Sequence, residues 1–144
     1  MNYEHKRNQS EGDRQRVIKQ KVKNFKLKFS RMLTCYGSIA TIISAPSNSS
    51  PSDIINLLSF SPYDRLMHAT QSYVELKDQL SIIATQYQWF LEQTNVTEDQ
   101  LNARFADKAL REDAFSRAEV FGDAMFEVIK FLGERTGYLR YLII

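Results

Sequence analysis

Cysteine, proline and glycine are all scarce in this chain of 144 residues, which contains one Cys, three Pro and five Gly. The single cysteine, Cys35, excludes an intramolecular disulfide framework and makes a thiolate zinc cluster implausible. The low proline and glycine content fits long helices and argues against the frequent turns of an all-β fold. We therefore expect a helical protein in the reducing environment of the cytoplasm.

Patterns for catalysis and metal binding are also lacking. The only histidines, His5 and His68, lie in different segments, and neither has a second histidine four residues away. His68 is expected to be a surface or hydrogen-bonded residue, and Cys35 a small buried apolar residue without a histidine partner. No glycine-rich phosphate loop occurs. The sequence thus predicts a protein that is not an enzyme and that uses no cofactor or metal.

The chain has the composition of one folded domain, because 43% of its residues are hydrophobic and 12% are aromatic. Residues 32–45 resemble the apolar part of a signal peptide. However, this stretch contains several Ser and Thr residues, it is too short to span a bilayer, and the preceding basic region is too long for a signal peptide. We therefore expect neither a signal sequence nor a membrane anchor.

Charge is distributed very unevenly along the chain. Residues 1–31 contain ten Lys or Arg residues and three acids, a net charge of +7. The remaining residues contain nine bases and fourteen acids, a net charge of −5. Such an asymmetry indicates a partner selected by electrostatics, either a polyanion or an acidic protein face.

The first helix is predicted from apolar residues whose spacing alternates between four and three. These residues are Ile18, Val22, Phe25, Phe29, Met32, Tyr36, Ile39 and Ile43. This is the a/d pattern of a helix that packs along a seam. We predict a helix over residues 18–45, ended by the proline- and serine-containing stretch 46–51. A short helix over residues 53–58 is expected to lie across the end of the bundle.

Two further segments, residues 62–94 and 98–132, have helical periodicity of their own. Ser61 is expected to cap the first of them, and Thr97 and Gln100 match a capping box at the start of the other. The polar run 107–113 interrupts the third segment, and we interpret it as an irregularity within one helix rather than a break between two. Gly133 or Gly137 should end this helix, and the apolar tail 138–144 should dock.

Together these segments predict an all-α fold: an up-down bundle of three long helices with a short extra helix in the first connection. Residues 1–16 are expected to form a flexible basic N-terminal arm, and residues 17–144 a single helical-bundle domain. The predicted core contains Phe29, Met32, Tyr36, Ile39, Ile43, Leu66, Tyr73, Leu76, Leu80, Ile83, Tyr87, Phe105, Phe121, Met125, Val128 and Leu132.

The positions that flank the first seam are all basic as far as residue 28. With Ile18 at heptad position d, they are Lys19 and Lys26 at e, and Arg14, Lys21 and Lys28 at g. Like charges would repel if this helix paired with its own copy. Residues 98–134 contain nine acids and five bases, so this segment, in the same chain or a sister chain, is the expected counterpart. The alternative is that the lysines form a solvated face.

The function predicted from these features is that of a non-enzymatic helical interaction protein, such as an adaptor, chaperone or regulator. The residues expected to contact an acidic protein partner are Arg14, Arg16, Lys19, Lys21, Lys23, Lys26, Lys28 and Arg31. The alternative is a nucleic-acid-binding accessory protein whose basic arm makes sequence-nonspecific phosphate contacts. Phe25 and Phe29 interleave with the lysines, but their place on the seam argues against base stacking. A homo-oligomer, most simply a dimer, is expected because three long rods enclose only a narrow core.

Overall fold

The protein is all-helical in the part of the chain that the structure, a computed structural model, describes: the backbone of residues 2–142 and the side chains of residues 10–142. These residues contain no strand, as the sequence predicts. The α-helices are α1 (Asn2–Ser44), α2 (Pro51–Leu58), α3 (Pro62–Thr70), α4 (Lys77–Thr94), α5 (Glu98–Ala106) and α6 (Lys108–Thr136). Two short 3-10 turns occupy Val74–Leu76 and Leu139–Tyr141.

Helix α1 is 43 residues long, or about 65 Å, and it begins well before the predicted start. Residues 10–17 are exposed, and Ile18 is the first described residue of the helix to be half-buried. The domain therefore starts to bury α1 where the seam pattern begins. The mobility predicted for residues 1–16 stays a prediction, and Met1 and the side chains of residues 2–9 lie outside the described residues.

The second predicted segment consists of two helices, so the expectation of one continuous helix over residues 62–94 was wrong. Helix α3 ends where the Thr70 hydroxyl donates to the carbonyl oxygen of Leu66 (2.7 Å), and Tyr73 is extended. The Tyr73 ring then packs edge-on against Phe131 at 5.5 Å. The break has a tertiary cause, because α3 packs mainly on α1 whereas α4 packs on α6.

The third predicted segment is also divided, and the interpretation of residues 107–113 as an irregularity within one helix was wrong. Asp107 has an extended backbone (φ −71°, ψ 125°) that ends α5. Its carboxylate accepts a hydrogen bond from the Leu110 N–H at 3.0 Å and so caps α6. Gly137, in the left-handed conformation with φ 77°, ends α6. Leu142 of the tail packs against the core, and Ile143 and Ile144 lie outside the described residues.

The predicted core is confirmed, since ten of its sixteen members are buried and the other six are half-buried. Its centre is a group of aromatic rings around Phe25 and Phe29, both of which are fully buried. The Phe29 ring stacks on Phe90 of α4 at 4.5 Å and contacts Phe121 of α6 at 4.7 Å. These rings join α1, α4 and α6.

Three contacts that the sequence pattern did not indicate position α2 and α3. Ser50 and Asp53 form a capping box at the start of α2. Gly37 of α1 lies so close to α3 that a Cβ atom there would be 2.7 Å from the carbonyl oxygen of Pro62. Beside it, Arg65 Nη1 donates to the Ser38 hydroxyl at 2.8 Å. Close approach of α3 to α1 therefore requires a glycine at this position.

Candidate interaction surface

The eight predicted partner-binding residues all lie on α1, and seven of them are exposed while Lys21 is half-buried. They do not share one face. Successive residues of a helix are rotated by about 100°, so the e-position and g-position bases lie on opposite flanks of the buried stripe. Arg16, Lys23 and Arg31 lie on the side of α1 that faces away from the core. The basic surface therefore surrounds much of the first half of α1.

Very few of these charges are neutralised within the chain. Of the described acids, only Asp13 pairs with a basic residue of α1: it lies 3.8 Å from Arg16, and both side chains are highly exposed. The other ion pairs of residues 10–142 are Lys108–Glu112, Arg117–Asp113 and Arg135–Glu75. The same-chain pairing expected between the bases of α1 and the acids of residues 98–134 is thus not formed among the described residues. Pairing with a sister chain stays a prediction.

The e-position flank faces the beginning of α5. Lys19 lines a groove of about 310 Å³ together with Gln15, Asp99 and Asn102, but Lys19 and Asp99 do not come within ion-pair distance. Lys19 and Lys26 therefore keep their charge available on this side of the helix.

The g-position flank faces α6 and the junction between α5 and α6. Lys28 Nζ lies 5.4 Å from the centroid of the Phe115 ring, a cation–π contact that anchors this side chain on α6. Arg14 and Lys21 line a groove of about 510 Å³ together with Lys108 and Arg111 of α6. These two α6 residues were not predicted from the sequence, because residues 98–134 were expected to be the acidic side of the protein.

The turn at Asp107 is what places Lys108 and Arg111 in this groove. Because Asp107 ends α5 and caps α6, the first turn of α6 begins beside α1. Arg111 Nη1 donates to the carbonyl oxygen of Phe105 at 2.8 Å, which holds the half-buried guanidinium in place. The sequence signal for this arrangement was the aspartate three residues before Leu110, a local capping pattern.

The remaining candidates for chemistry are Cys35, which lines a groove with Lys28 and Arg31 of this surface, and His68 of α3. Cys35 is exposed, which corrects the prediction that it is buried: its position next to the seam residue Tyr36 turns it away from the core. His68 is exposed on α3, with its ring 5.9 Å from that of Phe60. Among the described residues no group of three or more His, Cys, Asp or Glu side chains could hold a metal ion.

Phe25 and Phe29 are unavailable to a ligand, because both rings are fully buried. Within the described residues no helix is long and apolar enough to cross a membrane. No model of a known protein family matches the sequence, and comparisons with curated proteins and with solved structures found no similar protein.

Proposed function

We propose that this protein is a non-enzymatic helical interaction protein, acting as an adaptor, chaperone or regulator, that binds an acidic protein partner through the basic half of α1. The observation that carries the proposal is the large unpaired positive charge of that helix. Apart from Arg16, none of the eight bases forms an ion pair with a described residue. Repulsion among so many like charges raises the free energy of the unbound protein. Binding of an acidic partner would relieve this repulsion.

The non-enzymatic part of the proposal is supported by the lack of a nucleophile–base pair among the described residues, because no hydrogen bond joins Cys35 to His68. Cys35 lies on α1 and His68 on α3, where its ring packs near Phe60. A nucleophile needs a base within hydrogen-bond reach, and the sequence offers no other histidine than His5. The proposed cytoplasmic location continues to depend on the single cysteine.

Nucleic-acid binding through sequence-nonspecific phosphate contacts is the second candidate. It is favoured by the groove in which Arg14, Lys21, Lys108 and Arg111 lie together, because phosphates also select such clusters. The burial of Phe25 and Phe29 argues against it for single strands, where stacking of bases on exposed rings supplies much of the affinity.

The two candidates are separated by removing four charges of α1 with Lys→Gln substitutions at Lys19, Lys21, Lys26 and Lys28. We expect this variant to lose the partner that the unmodified protein captures from its source cells, while affinity for duplex DNA is weak in both. If phosphate is the ligand instead, the slope of DNA affinity against salt should flatten by up to about 0.9 for each lysine–phosphate interaction that the substitutions remove. Lys77→Gln with Lys130→Gln is the control, since both lysines are exposed and lie outside α1. If the quadruple variant behaves like the control in both assays, the lysines are a solvated face and the proposal is wrong.

We also propose that the protein is a homodimer. Each subunit would be an up-down bundle in which α1, α4 and α6 are the three long helices. The helix directions are supported by paired contacts: Gln86 lies near Arg117, and Glu75 near Arg135, so α4 is antiparallel to α6.

Dimerisation is supported by large apolar side chains on the helix surfaces, including Ile42 (54% exposed). Light scattering after size exclusion at tens of micromolar should give the mass of a dimer, and a monomer would contradict this proposal.

A further inference from the structure

The junction of α1, α5 and α6 forms a groove that mixes positive charge with apolar surface. We call it the junction groove and define it by the residues that line it: Asp13, Arg14, Val17, Ile18, Lys21, Ala106, Lys108 and Arg111. It is open over about 510 Å³, a volume that suits several side chains of a bound segment rather than one small ion. Its members come from three helices, so it exists only in the folded protein.

The junction groove carries four cations and one lining acid, Asp13. That acid already lies 3.8 Å from Arg16, and Lys108 lies 3.7 Å from Glu112 in a highly exposed pair, which is worth little in water. Arg14 and Lys21 form no ion pair with any described residue. The groove therefore keeps a net positive charge, because Arg14 and Lys21 have no ion-pair partner among residues 10–142 and Lys108 has only the exposed pair with Glu112.

Two of these cations lie where a helix disfavours them. Lys108 and Arg111 belong to the first turn of α6, where the positive end of the helix dipole repels cations, and the Asp107 carboxylate that caps the helix offsets part of this repulsion. Arg111 is also held by the Phe105 carbonyl at 2.8 Å, so its guanidinium is fixed before any ligand arrives. An anionic group in the groove would be attracted by the four side chains, whereas the Asp107 carboxylate already caps the end of α6.

The apolar part of the groove indicates what kind of anion fits. Val17 is 52% exposed, and Ala106 is also exposed. Aliphatic side chains of this kind offer nothing to a phosphate backbone, whereas they can be covered by an apolar side chain of a protein helix. No exposed aromatic ring lines the groove on which a base could stack.

We propose that the junction groove binds an acidic amphipathic helix of a protein partner. The carboxylates of the partner helix face Arg14, Lys21 and Lys108, and an apolar side chain of the same helix covers Val17 and Ala106. This inference rests on the proposed function and deepens it, because it adds Lys108 and Arg111 to the site and makes the α6 terminus part of the recognition surface.

The test uses a fluorescein-labelled acidic helical peptide of about eighteen residues, with Glu on one face and Leu along the other. A peptide of the same composition without the apolar stripe and a labelled DNA duplex serve as comparison probes. Binding is measured by fluorescence anisotropy over a range of salt concentrations. We expect the amphipathic peptide to bind the unmodified protein at least about tenfold more tightly than the composition-matched peptide.

Three charge-reversal variants locate the site, and circular dichroism confirms that each is folded. The groove variant combines Lys21→Glu with Lys108→Glu, and it should weaken peptide binding at least about tenfold. The outer variant, Lys23→Glu with Lys26→Glu, makes the same charge change at two residues of the proposed α1 surface that lie outside the groove, and it should weaken peptide binding less than the groove variant does. The remote control, Lys77→Glu with Lys130→Glu, tests the effect of net charge alone.

A fourth variant, Val17→Gln, removes the apolar contact without changing charge. It should weaken binding of the amphipathic peptide by about threefold or more and leave affinity for the composition-matched peptide unchanged.

Each other outcome overturns a different statement. If the outer variant loses binding and the groove variant does not, the junction groove is not the binding site, while the proposal that the basic surface of α1 binds an acidic partner is retained. If neither differs from the remote control, both proposals are wrong. If the two peptides bind equally, the amphipathic helix is the wrong ligand. If DNA alone binds, and binds steeply more weakly as salt rises, the ligand is nucleic acid.

Discussion

Replacement of Phe25 with alanine tests whether the aromatic cluster supplies most of the stability of the fold. The ring is fully buried and lies 5.0 to 6.4 Å, centroid to centroid, from five other rings. Truncation of a buried phenylalanine costs about 3–5 kcal/mol, because apolar burial is removed and a cavity remains. The ring pairs that disappear with it place Phe25→Ala near the upper end, at about 4–5 kcal/mol. For a domain of this size, the midpoint of thermal unfolding should fall by roughly 12–20 °C.

The assay is urea unfolding followed by the helical circular dichroism signal, with Phe126→Ala as the matched control. Phe126 is also on a long helix but is 43% exposed, so its truncation should cost less than about 1 kcal/mol. If Phe25→Ala does not fold, Phe25→Leu, expected to cost about 1–2 kcal/mol, keeps the comparison measurable. Equal losses at the two positions, or a loss below about 2 kcal/mol for Phe25→Ala, would refute the packing argument.

Two further perturbations test local geometry. Gly37→Ala should destabilise the fold by at least about 1 kcal/mol, since the new Cβ would lie 2.7 Å from the Pro62 carbonyl oxygen. Gly12→Ala, in open space on the exposed part of the same helix, should not destabilise the fold, and equal losses at the two positions would contradict the close approach. Hydrogen bonds from the Ser50 hydroxyl and N–H hold the pKa of the Asp53 carboxyl below its usual 3.8. The ionised carboxylate therefore contributes its full stability above pH 3.8, and this contribution is lost as the pH falls through the lower pKa of the folded protein. The unmodified protein should exceed Asp53→Asn in free energy of unfolding by less below pH 3.8 than above it. An NMR titration in which the pKa of the Asp53 carboxyl is not lowered would disprove the capping box.

Periodicity predicted the core well because a long helix must bury one stripe wherever it packs. Phe25 and Phe29 were assigned to the seam from spacing alone, and both are fully buried. Two helix starts were equally readable: Ser61 and Thr97 accept hydrogen bonds from backbone N–H groups three residues later, as predicted. Such caps are complete within one helical turn, so a single sequence contains everything that forms them.

The helix breaks were not readable to the same degree, and for two different reasons. At Tyr73 the break depends on α3 packing on α1 while α4 packs on α6, a tertiary fact that has no local signature. At Asp107 a local signature existed, since an aspartate three residues before Leu110 can cap a helix. The change in the heptad pattern by itself favoured one irregular helix, whereas the local hydrogen bond to Asp107 divides the segment into two helices.

The candidate site shows the same division between what a helix fixes and what the fold decides. Heptad assignment placed Arg14 and Lys21 on one flank of α1, because angular position follows from residue number. It could not show which neighbour that flank meets. Counting charge over residues 98–134 suggested an acidic counterpart, yet the part that meets Arg14 and Lys21 is the first turn of α6, with Lys108 and Arg111. The fold thus brings like charges together, and no ion pair joins α1 to α6 among the described residues. Natural sequences depart from agreement between local patterns and overall fold mainly at functional sites. A groove in which like charges lie together is therefore expected in a protein that binds an acidic partner.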